Sequence, residues 1–133
     1  MQKFVALFLI VTMLLVACTA CAEQEPTHIY FTISAPAVSG DEPLPAIHRT
    51  ITFPISALEK KTVMFAILYA CDALGYSHER EGKYNENLVS VAGRVNLTDS
   101  FWVIEASDKN GNSIPVTTDS ALDGIVNLSI AYQ

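Results

Sequence analysis

One stretch of the chain restricts its possible folds more than any other: "TVMFAILYACDALG", residues 62–75. Thr62 can cap a first helical turn and Gly75 can end a last one. Between them the segment is apolar nearly all the way round. At the helical period of about 100° per residue, Val63, Ile67, Ala70 and Leu74 fall on one stripe, while Phe65, Leu68 and Tyr69 surround Asp72 on the opposite side. A helix on the surface of a globular domain needs only one apolar stripe. The rest of the chain must therefore supply a surface for the first stripe and a cover or a partner for the second.

The segments around the helix read as strands. In "HIYFTIS" Ile29, Phe31 and Ile33 alternate with polar neighbours, and in "IHRTITFPI" Ile47, Ile51, Phe53 and Ile55 do the same. Between them "APAVSGDEPLPA" is a loop rich in Pro, Gly and acid. After the helix the period returns to two. "NLVSVAGRV" puts Val89, Val91 and Val95 on one side, "FWVIEA" puts Trp102, Ile104 and Ala106 together, and "IVNLSIAY" does so for Val126, Leu128, Ile130 and Tyr132. The order is strand, strand, helix, strand, strand, strand. Each strand has one apolar face and the helix can cover only one side of a sheet, so the expected architecture is α+β, one helix packed on a small mixed sheet. On this arrangement Phe65, Leu68 and Tyr69 face outward. Either the Pro-rich loop folds back over them or they form an interface, with a second copy or with another protein.

With 133 residues there is enough chain for one domain with a modest core. All 14 acidic residues lie after position 22, against seven of the eight basic ones. That balance argues against nucleic acid, whose phosphates reward clusters of Lys and Arg.

Catalytic chemistry finds little support. His28, His48 and His78 are scattered, and none stands at a metal-ligand spacing from another candidate; all three read as surface or strand-end residues. No nucleophile elbow, P-loop or dinucleotide fingerprint is present. Cys71, on the helix, reads as a small apolar residue. In "DKNGNSIPVTTD", Asp108, Asn110, Asn112 and Asp119 occupy the first, third, fifth and twelfth places of a calcium-loop spacing, but the sixth place holds Ser113 instead of Gly and the twelfth lacks a bidentate Glu. Asn110-Gly111 is the stronger signal there, for a hairpin turn. The expectation is a protein that is not an enzyme and holds no metal.

The N-terminus is the most specific part. "MQK" precedes "FVALFLIVTMLLVA", a stretch in which only Thr12 is polar, and then comes Cys18: a basic start, a short apolar core and a small residue before the cut, as in an export signal. A spanning helix needs roughly 20 apolar residues, so an uncleaved anchor fits less well. "LVAC", residues 15–18, resembles the lipobox of bacterial lipoproteins, in which the cysteine becomes the lipidated first residue. That resemblance implies a signal peptide over 1–17, a lipidated Cys18 with a polar tether over 18–27, and a domain over 28–133 held outside the cytoplasm on a bacterial membrane.

Residues 88–102, "LVSVAGRVNLTDSFW", resemble the C-terminal domain of the vertebrate cobalamin carriers, transcobalamin and intrinsic factor, in a Ser-Val pair, a Gly and a later aromatic-Trp pair. "LDGIVNLSIAY" is similar to the carriers' closing strand, and "TITFPISALEKKTVMFAIL" to their second strand running into the helix. The resemblance implies a β-grasp-like fold and a corrinoid as ligand, with the contact at Trp102, Val103, Ile104 and Glu105. For Trp102 an inward, packing position is the competing reading, since its phase matches Ile104 and Ala106. In the carriers a large helical domain holds the other face of cobalamin, and a second protein would have to supply that half here. The competing functional reading is an interaction or structural subunit that docks a partner protein and binds no small molecule.

The lipid assignment is directly checkable. Metabolic labelling with a fatty-acid analogue should tag the wild-type chain, and Cys18→Ser should lose the label and leave an unprocessed or released precursor. Continued labelling of the Cys18→Ser chain would remove the assignment.

Overall fold

The computed structural model describes residues 25–133. The signal segment, Cys18, Cys21 and most of the tether lie outside these residues. Strand β1 (His28–Ala35) and strand β2 (Ile47–Pro54) form an antiparallel hairpin, and a single 3-10 turn (Ile55–Ala57) leads toward helix α1 (Val63–Leu74). Six strands follow: β3 (His78–Glu81), β4 (Asn87–Val91), β5 (Arg94–Val95), β6 (Trp102–Ser107), β7 (Ser113–Ile114) and β8 (Asn127–Tyr132). The main sheet has the order β2-β1-β8-β6-β7, and β3-β4-β5 form a second, antiparallel sheet. The last strand, β8, runs parallel to β1 at the centre of the main sheet, so the sheet is mixed. The fold is α+β with one helix, as the alternation of apolar residues requires. Among the described residues no helix is long and apolar enough to cross a membrane.

The ends of α1 follow from their residues. Thr62 is extended and its side chain accepts a hydrogen bond from Phe65 N, while Gly75 takes the left-handed conformation, φ 80°, that an L side chain resists. Val63, Ile67 and Ala70 are fully buried, as the first stripe predicts. So are Ala66 and Cys71, with Met64 and Leu68 nearly so. Of the second stripe Leu68 alone is buried, and the outward position expected for it is corrected. Only Phe65, Tyr69, Asp72 and Ala73, with Leu74 at the end of the helix, keep appreciable exposure. The segment before β8 bonds the start of the helix: Val63 N and Met64 N donate to the carbonyls of Ser120 and Thr118, and Leu122 N donates to Lys61 O. At the other end, Asp72 pairs with His78 Nε2 at 2.8 Å and ties α1 to β3. Leu88, Val91, Leu122 and Ile125 join the helix and the main sheet in one core.

Two further expectations change, and one of two open alternatives falls away. "NLVSVAGRV" is a hairpin, not one strand: Val91 pairs with Arg94 across a two-residue turn in which both Ala92 (φ 50°) and Gly93 (φ 77°) have positive φ. The turn reverses the alternation, so Val91 is buried and Val95 is 42% exposed. The Pro-rich loop does not fold back over the exposed helix stripe. It closes on itself through a Val38–Leu44 bridge and is held at Pro36 and Pro45 by Arg94.

Arg94 is 3% exposed, and its guanidinium donates to the carbonyls of Ala92, Pro36 and Pro45 at 3.2, 3.0 and 2.6 Å. A buried cation is tolerated only when its donors are satisfied, and here backbone oxygens do most of that work. Nε alone finds no acceptor among the described residues. Arg94→Met keeps the volume of the stem but strands three acceptors, and should cost about 2–4 kcal/mol. Thermal melting checks this. An unchanged Tm would mean that the loop does not depend on the guanidinium.

Candidate functional site

The alternation along β6 decides what this strand can offer a ligand. Trp102 and Ala106 are buried, Ile104 is half-buried against the core, and Glu105 is exposed on the opposite face beside a half-buried Val103. Of the four residues implicated by resemblance, Val103 and Glu105 therefore lie on the open face of the main sheet, while Trp102 and Ile104 lie on the core side. The indole of Trp102 is 7% exposed, its Nε1 donates to Arg94 O at 2.9 Å, and its ring meets that of Tyr132 at 5.3 Å between centroids. Of the two readings of Trp102, the structure places it at the packing position.

The open face has its own composition. The strand register sets three rows of side chains across it; one runs His48, Ser34, Ala131 and Val103 over four strands, and the other two are polar throughout. Of the polar rows, one runs Thr52, Tyr30, Asn127, Ser107 and Ser113 over all five strands; the other runs Thr50, Thr32, Ser129 and Glu105 over four. Thr32 and Thr50 hydroxyls lie 3.3 Å apart, and Asn127 Nδ2 donates to Ser107 Oγ at 3.2 Å. Tyr30 is half exposed. It lines two hollows: one of about 260 Å³ with Thr32, Glu105, Ser107, Asn127 and Ser129, and one of about 420 Å³ with His28, Thr52 and Val126. Glu105 carries the only full charge in either row. No pattern in the sequence flagged Tyr30 or Asn127. Their signal was available in the polar half of each alternation, which is usually discounted as a solvated face.

A third depression, of about 310 Å³, lies beside α1 and is lined by Leu58, Glu59, Phe65, Leu68, Tyr69, Asp72, His78 and Arg80. It brings together the three residues expected at an interface, with Leu68 as a buried part of its floor and the Tyr69 ring tilted against that of Phe53 at 4.8 Å between centroids.

The remaining candidates have structural explanations. Asp108 accepts hydrogen bonds from the backbone N–H groups of Asn110 and Asn112, so its carboxylate closes the β6–β7 loop that Asn110-Gly111 signals. Those bonds, the one from Asn112 first, hold its carboxyl below the usual range. Among the described residues no group of three or more His, Cys, Asp or Glu side chains is placed to hold a metal ion. Cys71 is fully buried, and burial, with the neighbouring Asp72, pushes its thiol up to about 12, where it stays protonated and inert at neutral pH. His28 and His48 are exposed, whereas His78 is half-buried in its pair with Asp72.

Compared with known protein families and with curated proteins, the chain matches no family model and no curated protein.

Trp102→Phe separates packing from ligand contact. The substitution leaves the buried Arg94 carbonyl without its donor, which costs about 1–3 kcal/mol. The measured Tm should fall by roughly 5–15 °C. A variant that melts like the wild type would take Trp102 out of the junction described here.

Proposed function

We propose that this chain is a lipid-anchored, extracytoplasmic binding module without catalytic chemistry, which presents the open face of its main sheet to its ligand. The observation that carries the reading is the make-up of that face: two rows of hydrogen-bonding side chains, an exposed ring between two hollows, and a single charge. Low charge with an exposed aromatic is the composition of a contact surface more than of a solvated one. The resemblance to the carriers' C-terminal domain names a corrinoid as the ligand, held against Val103 and Glu105 with a second protein, or a second copy, covering its other side. A docking subunit that binds a partner protein and no small molecule is the second reading; the depression formed by Phe65, Leu68 and Tyr69 favours it.

Absorbance titration decides between them. Purified chain in detergent, titrated with cobalamin, should shift the visible bands of the corrinoid saturably, and Val103→Arg should abolish the shift without lowering Tm. A flat titration of the wild-type chain removes the corrinoid as the ligand.

A further inference from the structure

We propose that the open face of the main sheet binds a neutral polysaccharide, laid across the strands with Tyr30 as its stacking ring and with Asn127 and Glu105 among its hydrogen-bonding partners. This rests on the reading of that face as the ligand surface, and it assigns the face a class of ligand different from the corrinoid that the resemblance names.

The chain carries 22 charged residues in 133, yet the two polar rows hold one, Glu105. Neither row contains a Lys or Arg, so phosphate, sulfate and uronate groups find no counter-charge there, and Glu105 repels them. Neither polar row contains a large aliphatic side chain, and the third row adds only Val103 and Ala131, so an apolar ligand finds little surface to bury. A lone carboxylate among hydroxyls does not select a cation. What the rows do supply is many donors and acceptors on one surface: the hydroxyls of Ser and Thr, which both donate and accept, the amide of Asn127, and the two acceptor oxygens of Glu105. The complement of that set is a ligand rich in hydroxyl groups and without charge.

Tyr30 adds the second half of sugar recognition. An aromatic ring has an apolar body and a polar tip, and the C–H side of a sugar ring packs on the former while its hydroxyls bond around it. Tyr30 is 51% exposed and lines hollows on both of its sides. Its row crosses five strands, and at the usual strand spacing four gaps span about 19 Å. That length exceeds one sugar ring, which selects a chain over a free monosaccharide.

The test uses the full chain in a detergent without a sugar headgroup. Affinity electrophoresis is run through gels containing neutral glucan, mannan or galactan, with alginate and heparin as anionic controls. At least one neutral polymer should retard the protein, its oligosaccharides should compete, and its monosaccharide should compete weakly. Tyr30→Ala and Glu105→Gln should each weaken retention about tenfold, the equivalent of 1.4 kcal/mol. Thermal melting shows that both variants remain folded. Retention by anionic polymers alone, retention unchanged in both variants, or no retention overturns the proposal. If Tyr30→Ala abolishes the cobalamin shift while no polysaccharide is retained, the face is the ligand surface and the saccharide class is wrong. If neither signal depends on Tyr30, the reading of the face falls as well.

Discussion

The two sheets meet at a junction built from Trp102 and Arg94. The indole Nε1 of Trp102 donates to the Arg94 carbonyl, and Asn96 accepts from Trp102 N while donating to Leu88 O. Tyr132 OH reaches across to Val95 O from the neighbouring strand. The Arg94 guanidinium, on the far side, holds the Pro-rich loop by Pro36 and Pro45. One residue thus accepts at its backbone from the main sheet and donates at its side chain to a loop some fifty positions earlier. Because the guanidinium is buried, its hydrogen bonds are not exchanged freely for water, and the loop, the β4–β5 hairpin and β6 are held as one unit.

That junction also determines which residues of β6 can serve a ligand. A strand presents alternate residues to opposite faces, so fixing Trp102 in the core turns Val103 and Glu105 outward. The same parity operates on β1, where Ile29, Phe31 and Ile33 are fully buried and Tyr30 and Thr32 lie on the open face. The helix stands on the core side with most of its circumference covered. The other face of the sheet is left open.

The elements were largely legible in the sequence because they rest on local signals. Thr62 and Gly75 marked the ends of the helix through capping chemistry, and the phases of β1, β6 and β8 were visible in every second residue. What escaped depends on distant partners. Ala92-Gly93 is a weak hairpin signal because Ala seldom takes positive φ, and reading through it put Val95 on the buried side. Arg94 looks like any surface cation until Pro36 and Pro45 arrive to bond it. Leu68 reads as outward because a single sheet can cover only one side of a helix, whereas its burial depends on parts of the chain beyond the main sheet. The ligand residues placed by resemblance fell half on each side of β6, since a contiguous run in a strand cannot share a face. Tyr30 and Asn127 went unnoticed because polar positions in a half-buried strand carry no local signature of a site.

The distribution of charge bears on what the open face is for. A sheet face selected only for contact with water can carry Lys, Glu and Asp freely, and this chain places such residues on its loops and on β3, where Glu79, Arg80 and Glu81 alternate between exposed and half-buried positions. On the open face of the main sheet, strands of similar exposure carry mostly Thr, Ser, Asn and Tyr, with Glu105 the one carboxylate in the rows. Thr and Tyr favour a strand by propensity, which explains part of the pattern. Propensity does not account for Ser113, Asn127, Ser129 and Ser107, because Asn is depleted in strands and Ser is not among the residues enriched there. Their presence at register positions next to Tyr30 and Glu105 costs strand stability, and such a local departure from the rule of the fold is expected at a surface that binds something.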